Sequence, residues 1–323
     1  MRLFALRGSE RLGSAVARAL ARKLDPHEER DFEDGEHKAR PLVSVRGEDV
    51  YVLHSLAGTS EAAANDKLCR LLFFLACCRE NGAASVTAVV PYLAYARKDR
   101  QTKARDPVTT RYVAQLFEAM GTDRLIILEA HNIAAFQNAF RCQTVHLDAR
   151  RLFCAEIARI APGGRITVFS PDGGGVKRAQ LLKEMYEAET GNAAGFGFME
   201  KRRSRGVVSG DLFAGDVSGT AVFIIDDMIS TGGTMLRAAL ACREGGAASV
   251  HALATHALFR DGSNELLESR AIDSIVVTDS VGSDPRGYAG PRVRVLETGP
   301  LIGEAIRRLE ERQPLADLLG MED

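Results

Sequence analysis

A nine-residue segment occurs twice in this chain: CRENGAASV at 78–86 returns as CREGGAASV at 242–250 with one difference. Each copy closes a helix-like run, LCRLLFFLACCRENG in the first case and TMLRAALACREGG in the second. Each is followed by an apolar, β-rich run, VTAVVPY or VHALATHALF. A glycine after a helical run supplies the left-handed residue that stops the helix, and the following Ser-Val opens a strand. A match that extends to the helix-glycine-strand context on both sides marks a duplicated α/β unit. The fold must therefore accommodate two copies of the same crossover.

Other segments fit that pattern. Short apolar runs ending in polar or acidic residues at 49–55, 124–130, 165–171, 221–226 and 274–280 read as buried parallel strands. Helical stretches alternate with them at 61–79, 111–120, 150–160, 176–189, 234–244 and 302–312. Such alternation predicts an α/β protein of two tandem domains, each a mainly parallel sheet flanked by helices, with ligands at the strands' carboxyl ends. The length of 323 residues suits two domains. The boundary is expected where the first strand-helix series closes, giving domains of 1–149 and 150–323. No Gly/Ser linker separates them.

Composition removes several function classes. Lys+Arg number 42 against 43 Asp+Glu, a net charge of −1, so nothing in the bulk electrostatics draws the chain to nucleic acid or membrane. The densest apolar stretch, 71–78, is far shorter than the ~18 residues of a membrane span. The N-terminus lacks the uninterrupted apolar core and cleavage pattern of a signal peptide. Six cysteines without a CxxC pair read as reduced thiols. A cytoplasmic protein is expected.

The most informative stretch is VFIIDDMISTGGT at 222–234. An apolar strand is expected to end at Asp226-Asp227, with a short loop and a helix starting near Thr234. Ser230, Thr231, Gly232, Gly233 and Thr234 then present N–H groups and hydroxyls at a helix N-terminus, a ready anion site. The two aspartates are suited to accept hydrogen bonds from sugar hydroxyls. A phosphate cradle beside a carboxylate pair points to a phosphorylated sugar. No GxxxxGK[ST] is present, and no GxGxxG opens a helix after the first strand.

This segment resembles the ribose-5-phosphate loop of type I phosphoribosyltransferases, and its neighbours resemble the ribose-phosphate diphosphokinase family. The similarity runs through six motifs in that family's order, from about Phe32 to Ile306, and the family's two tandem domains agree with the repeat. FEDGE at 32–36 resembles the family's adenine loop, which implies nucleotide contacts for Phe32, Asp34, Gly35 and Glu36. PYLAYARKDR at 91–100 resembles its Pro-Tyr-x-x-Tyr-Ala-Arg-Gln-Asp-Arg, implying that Arg97, Lys98, Asp99 and Arg100 bind ATP, with Lys98 in place of Gln. Lys103, Arg105 and Arg111 extend this basic loop, and arginine grips phosphate oxygens bidentately.

EAH at 129–131 resembles Asp-x-His and implies that His131 helps bind Mg2+, with Glu129 replacing the aspartate. SPDGGG at 170–175 resembles the diphosphate loop, implying roles for Asp172, Gly173, Gly174 and Gly175 and a metal role for Asp172; Gly173 stands where His is common. EKRR at 200–203 resembles Asp-Lys-Arg-Arg, which opens a mobile catalytic loop. It implies that Lys201 and Arg203 stabilise the transferring group, with Arg203 also near ribose 5-phosphate. The glycine-rich run at 191–197 is compatible with such a loop.

The resemblance implies transfer of the diphosphoryl group of ATP to ribose 5-phosphate, with Mg2+ as cofactor and a homo-oligomer of at least two chains. ATP and ribose 5-phosphate are the expected partners, without nucleic acid or membrane. Two alternatives share parts of the pattern. A phosphoribosyltransferase has the 226–234 loop but needs neither the FEDGE loop nor the duplication. A non-catalytic regulatory relative is expected to lose the Lys-Arg-Arg loop or the paired acids, and both are present here.

Overall fold

The computed structural model describes the backbone of residues 1–204, 207–281 and 291–320, and the side chains of these outside 201–211. They form two compact units. The first is Met1–Asp148 with the segment from Glu297 onward, and the second is Ala149–Asp279 with a last strand ending at Leu296.

The first unit runs β1 (Arg2–Ala5), α1 (Glu10–Ala19), β2 (His27–Asp31), β3 (His37–Pro41), β4 (Asp49–Leu53), α2 (Ala64–Glu80), β5 (Ser85–Val90), α3 (Thr109–Ala119), β6 (Arg124–Leu128), α4 (Ile133–Ala139) and β7 (Gln143–Leu147). Its sheet has the order β1-β4-β5-β6-β7, parallel throughout. A separate antiparallel hairpin, β2-β3, stands outside it. The second unit runs α5 (Arg150–Ile160), β8 (Ile166–Ser170), α6 (Val176–Thr190), β9 (Ala194–Ser204), β10 (Val207–Ala214), β11 (Ala221–Ile229), α7 (Gly233–Glu244), β12 (Ser249–Ala257), α8 (Asn264–Glu268), β13 (Ser274–Thr278) and β14 (Val293–Leu296). Its order is β10-β9-β8-β11-β12-β13-β14, antiparallel only at β10-β9. The α/β architecture read from the sequence is thus present in both units.

The strands are apolar because both faces are covered. Val50, Tyr51, Val52 and Leu53 of β4 are all at most 1% exposed, as are Val222, Phe223, Ile224 and Ile225 of β11. Leu68, Leu71, Leu72, Leu75 and Cys78 of α2 join the first core, and Met235, Ala238, Ala239 and Cys242 of α7 the second.

The repeat proves to be a structural unit held by one device used twice. Gly82 (φ +88°) and Gly246 (φ +84°) turn the chain out of α2 and α7. Asp49 then pairs with Ser85 as Ala221 pairs with Ser249. Arg79, in the last turn of α2, donates through Nε to the Gly121 carbonyl and through Nη1 to Ala83 O, and pairs with Asp123. Arg243 donates to Ala271 O and Ala248 O and pairs with Asp273. Asp123 and Asp273 accept from the N–H groups of Val86 and Val250 respectively, each 2.7 Å away. Helix end, next strand and the strand beyond are tied at one point.

The chain ending departs from the expected division at 149/150. Helix α9 (Gly299–Glu310) and the 3-10 turn Ala316–Leu319 belong to the first unit. The cause is a close helix pair: a Cβ at Gly299 would lie 2.5 Å from Ala15 Cβ, and one at Gly303 2.7 Å from Ala19 Cβ. Tyr51 Oη also donates to Glu310 Oε1 at 2.9 Å.

The glycine-rich run before Lys201 is a second correction. Only Gly191 (φ +70°) ends a helix there; from Ala194 the chain is β9, paired with β8. Gly195 and Gly197 are required by close approach, since their Cβ atoms would come 2.5 Å from Thr167 Oγ1 and 2.6 Å from the Phe169 ring. From Ala194 onward the run is therefore a strand, not the expected loop.

The twinned clamp yields a paired expectation. Arg79→Met and Arg243→Met should each lower unfolding free energy by about 1–3 kcal/mol, because carbonyls and a carboxylate lose their donor. Denaturant titration of both variants checks this, and equal losses would show that the two copies carry the same structural load.

Candidate active site

In the second unit, three sequence-predicted segments meet at the carboxyl ends of β8 and β11. Strand β11 does not stop at Asp226 but continues to Ile229, because Met228 and Ile229 still pair with His256 and Ala257 of β12. Side chains alternate along a strand, so the two aspartates face opposite sides. Asp227 is 3% exposed, whereas the Asp226 side chain is 22% exposed. Asp226 Oδ1 accepts from the Asp227 N–H at 2.8 Å and from Arg178 Nη1 at 3.3 Å. Asp226 is thus the carboxylate open to a ligand.

After β11 the chain turns through Ser230 and Thr231 to Gly232, whose φ of +80° makes it the left-handed residue before α7. No side chain caps this helix N-terminus. A Cβ at Gly232 would lie 2.8 Å from Leu266, so only glycine fits there, while Gly233 has open space around its Cα. Ser230 O accepts from the Arg260 N–H at 3.0 Å and fixes the loop from behind. Helix N-termini of this kind leave N–H groups for an anion.

The Asp172 loop precedes α6. Asp172 Oδ1 accepts from the N–H groups of Gly174 (2.9 Å) and Gly175 (3.0 Å), and Ser170 Oγ donates to Asp172 O at 2.7 Å. Those two N–H groups are therefore held by the loop's own carboxylate. A Cβ on Gly173 would lie 3.7 Å from Glu200 Oε1, so the acid heading the EKRR segment lies over this loop. Lys201 and Arg203 occupy β9, opposite Asp211 and Val208 of β10; their side chains lie outside the described residues.

In the first unit, Phe32–Glu36 form the tip of the β2-β3 hairpin. Phe32 accepts the Gly35 N–H and donates to Glu36 O, Asp34 Oδ1 accepts from Glu36 N, and Gly35 takes φ +89°. Phe32 is 39% exposed, with the Arg30 guanidinium 5.2 Å from its ring centroid. Arg97 and Arg100 are exposed. Lys98 is not open in the same way: its Nζ donates to Asp106 Oδ2 at 2.6 Å and Thr102 Oγ1 at 3.1 Å. Asp106 Oδ2 also accepts from the N–H groups of Thr102 and Lys103; the Lys98 bond first, then the Thr102 hydroxyl and these N–H groups, hold its carboxyl far below the ordinary range. Asp99 Oδ2 accepts from Asn132 Nδ2 at 2.7 Å, which ties the basic loop to the exposed His131 at the end of β6. Glu129 sits at φ +49°, a left-handed conformation that a non-glycine residue adopts at some cost.

Among the described residues no three His, Cys, Asp or Glu side chains converge to hold a metal, and no helix is long and apolar enough to cross a membrane. Asp172 presents a carboxylate oxygen, the kind of donor that magnesium takes together with water and phosphate oxygens.

Residues 1–121 match the N-terminal domain of ribose phosphate pyrophosphokinase, and residues 211–319 the phosphoribosyl synthetase-associated domain. The ribose-phosphate pyrophosphokinase of Hyphomonas neptunium is 34% identical over 98% of this chain and 99% of its own. That of Maricaulis maris is 36% identical over 94% and 96%. The crystal structure of phosphoribosylpyrophosphate synthetase from Mycobacterium smegmatis superposes with a TM-score of 0.85 at 31% identity, covering 96% of this chain and 99% of that one. The chain belongs to the ribose-phosphate pyrophosphokinase family.

Within this pyrophosphokinase fold, sequence reasoning missed three residues that shape the site. Arg178 bridges toward Asp226; its position in the first turn after PDGGG was the available signal. Asp106 and Asn132 carry no such signal, because the role of Asp106 follows from a local turn back to Lys98 and Thr102, and that of Asn132 from a contact with the distant Asp99. Burial, then the neighbouring Asp227 charge, push Asp226 up to about 7, with Arg178 opposing. The folded state therefore holds a proton that the unfolded chain releases near the ordinary value of 3.8, and stability falls as pH rises through that window. Asp226→Asn keeps an oxygen acceptor for the Asp227 N–H and removes the charge. It should melt higher than the parent at pH 8, with the gain vanishing toward pH 4, as measured by calorimetry across pH.

Proposed function

We propose that this chain transfers the β,γ-diphosphoryl group of ATP to the C1 hydroxyl of ribose 5-phosphate, forming phosphoribosyl diphosphate and AMP. The observation that carries the reading is the run of β11 through Asp226 into the uncapped N-terminus of α7, beside the Asp172 loop. Sugar hydroxyls donate to Asp226, with Asp227 fixing that strand end, and the 5-phosphate is received by Ser230, Thr231, Gly232, Gly233 and Thr234. The names of the relatives matched over nearly their whole length, ribose-phosphate pyrophosphokinases, support a ribose phosphate as the acceptor and pyrophosphoryl transfer as the reaction.

The C1 hydroxyl attacks the β-phosphorus in line; a new P–O bond forms, the hydroxyl proton passes to solvent, the bond to the α-phosphate oxygen breaks, and AMP leaves with that oxygen. Such transfer depends on position and charge neutralisation rather than on a protein nucleophile. Lys201 and Arg203 are assigned to the developing charge, and Phe32, Asp34, Gly35, Glu36, Arg97 and Arg100 to ATP. Asp99 positions the loop of His131 through Asn132, and Lys98 supports the loop through Asp106. Asp172, Gly173, Gly174 and Gly175 border the diphosphate, where Asp172 exchanges its internal N–H partners for ligand contacts. His131 and Asp172 are assigned to magnesium, which when bound neutralises phosphate charge. The working form is assigned as a cytoplasmic homo-oligomer.

Purified protein incubated with magnesium, ATP and ribose 5-phosphate should form AMP and phosphoribosyl diphosphate in equal amounts by phosphorus NMR. Lys201→Ala should lower kcat about 100-fold or more while both substrates still bind. Binding of both substrates without turnover by the parent protein would instead assign the chain as a regulatory relative. Consumption of phosphoribosyl diphosphate with a base would assign it as a transferase.

A further inference from the structure

The duplication allows the first unit to be compared position by position with the second. Val50 pairs with Val86 and Arg2, as Val222 pairs with Val250 and Thr167. His54-Ser55 therefore stand where Asp226-Asp227 stand, and Arg7-Gly8 where Asp172-Gly173 stand. Arg70 lies nine residues before Arg79, and Thr234 nine before Arg243. The first unit thus repeats the groove between the loop after its first strand and the neighbouring strand end, but α2 starts at Ala64, so Arg70 lies within a helix where Thr234 lies at a helix N-terminus.

That groove is differently furnished. His54 is 1% exposed, its Nδ1 lies 3.1 Å from Ser9 Oγ, and Ser9 Oγ also accepts from Ser55 N at 3.0 Å. Burial, with the nearby Lys67 charge, pushes His54 down to about 3, so it is neutral where the second unit has a carboxylate. The cations Arg7 and Arg70 remain, and what they hold belongs to the chain itself. Arg7 N donates to Glu29 Oε1 at 2.7 Å, Arg7 Nη1 to Asp31 Oδ2 at 2.5 Å and Arg7 Nη2 to Glu29 O at 3.1 Å. Arg70 Nη2 donates to Asp31 Oδ1. His27 Nε2 lies 3.0 Å from Glu29 Oε1, and the Glu29 side chain is 5% exposed.

Glu29 and Asp31 are on β2, and Asp31 directly precedes Phe32. The hairpin belongs to no larger sheet, so its direction depends on such tethers and on the stacking of His37 against Phe73 at 5.5 Å. We infer that Glu29 and Asp31 occupy the first unit's duplicated anion groove as built-in anions, and that their grip by Arg7 and Arg70 positions the Phe32–Glu36 tip for nucleotide. This rests on the assignment of that tip to ATP. Asp31, Arg7 and Arg70 are positioning residues, since none is assigned to touch the nucleotide.

The test is a comparison of Asp31→Asn, Arg70→Gln, the double variant and Asp31→Glu with the parent, by steady-state kinetics and by titration of ATP alone. Each neutralising single variant should raise the KM and Kd for ATP about three- to tenfold, with kcat and the KM for ribose 5-phosphate changed less than about twofold. The double variant should be no worse than the poorer single one, because both changes break one contact, and Asp31→Glu should recover most of the affinity. ATP affinity unchanged in both single variants, or a parallel rise in the KM for ribose 5-phosphate, would overturn the inference. A parent that binds ATP but turns over nothing would sink the proposed function alone, because the ratio of ATP Kd values still decides this inference.

Discussion

Parallel pairing is the constraint on which the rest depends. Two neighbouring parallel strands must be joined by a crossover, and the carboxyl ends of all strands then lie along one edge of the sheet. Arg79 with Asp123, and Arg243 with Asp273, fix the point at which each helix returns to the sheet. The opposite ends of those helices are set by the same rigid body. The Asp172 loop, Asp226, the turn into α7 and the His131 segment after β6 lie at such carboxyl ends, whereas the Phe32–Glu36 tip is carried by a hairpin outside the sheet.

The same scaffold holds two electrostatic solutions. In the second unit a largely buried carboxylate is kept above its ordinary range by burial and by Asp227, beside an open helix N-terminus. This arrangement is costly for the empty protein and favours ligands that bring hydrogen-bond donors or cations to Asp226. In the first unit the corresponding strand end is a neutral, buried histidine, and two carboxylates from the hairpin satisfy the cations. The duplicated groove thus became an anchor.

Charge in the basic loop is similarly divided. Asp106 neutralises Lys98 and organises the turn, and Asp99 binds Asn132, so the loop is shaped by its acids. Arg97 and Arg100 are left exposed, and phosphate is the ligand proposed for them. The bidentate fork of arginine suits this role better than the point charge of lysine.

Periodicity and punctuation were enough to determine the α/β class, the duplication, the helices from 150 to 160 and 176 to 189, and the glycine turn into α7. Those signals are local: apolar runs of strand length, helical spacing and a residue that tolerates positive φ. Tertiary structure alone decided that β11 runs through both aspartates and turns them to opposite faces, since this depends on how far β12 extends as a partner. It likewise made β9 out of a glycine-rich run, by close approach to β8. The return of α9 to the first unit follows from packing against α1, and the roles of Asp31, Asp106 and Arg178 follow from partners distant in sequence or across a turn. Local sequence encodes which elements form; which charges meet is set by contacts that exist only after folding.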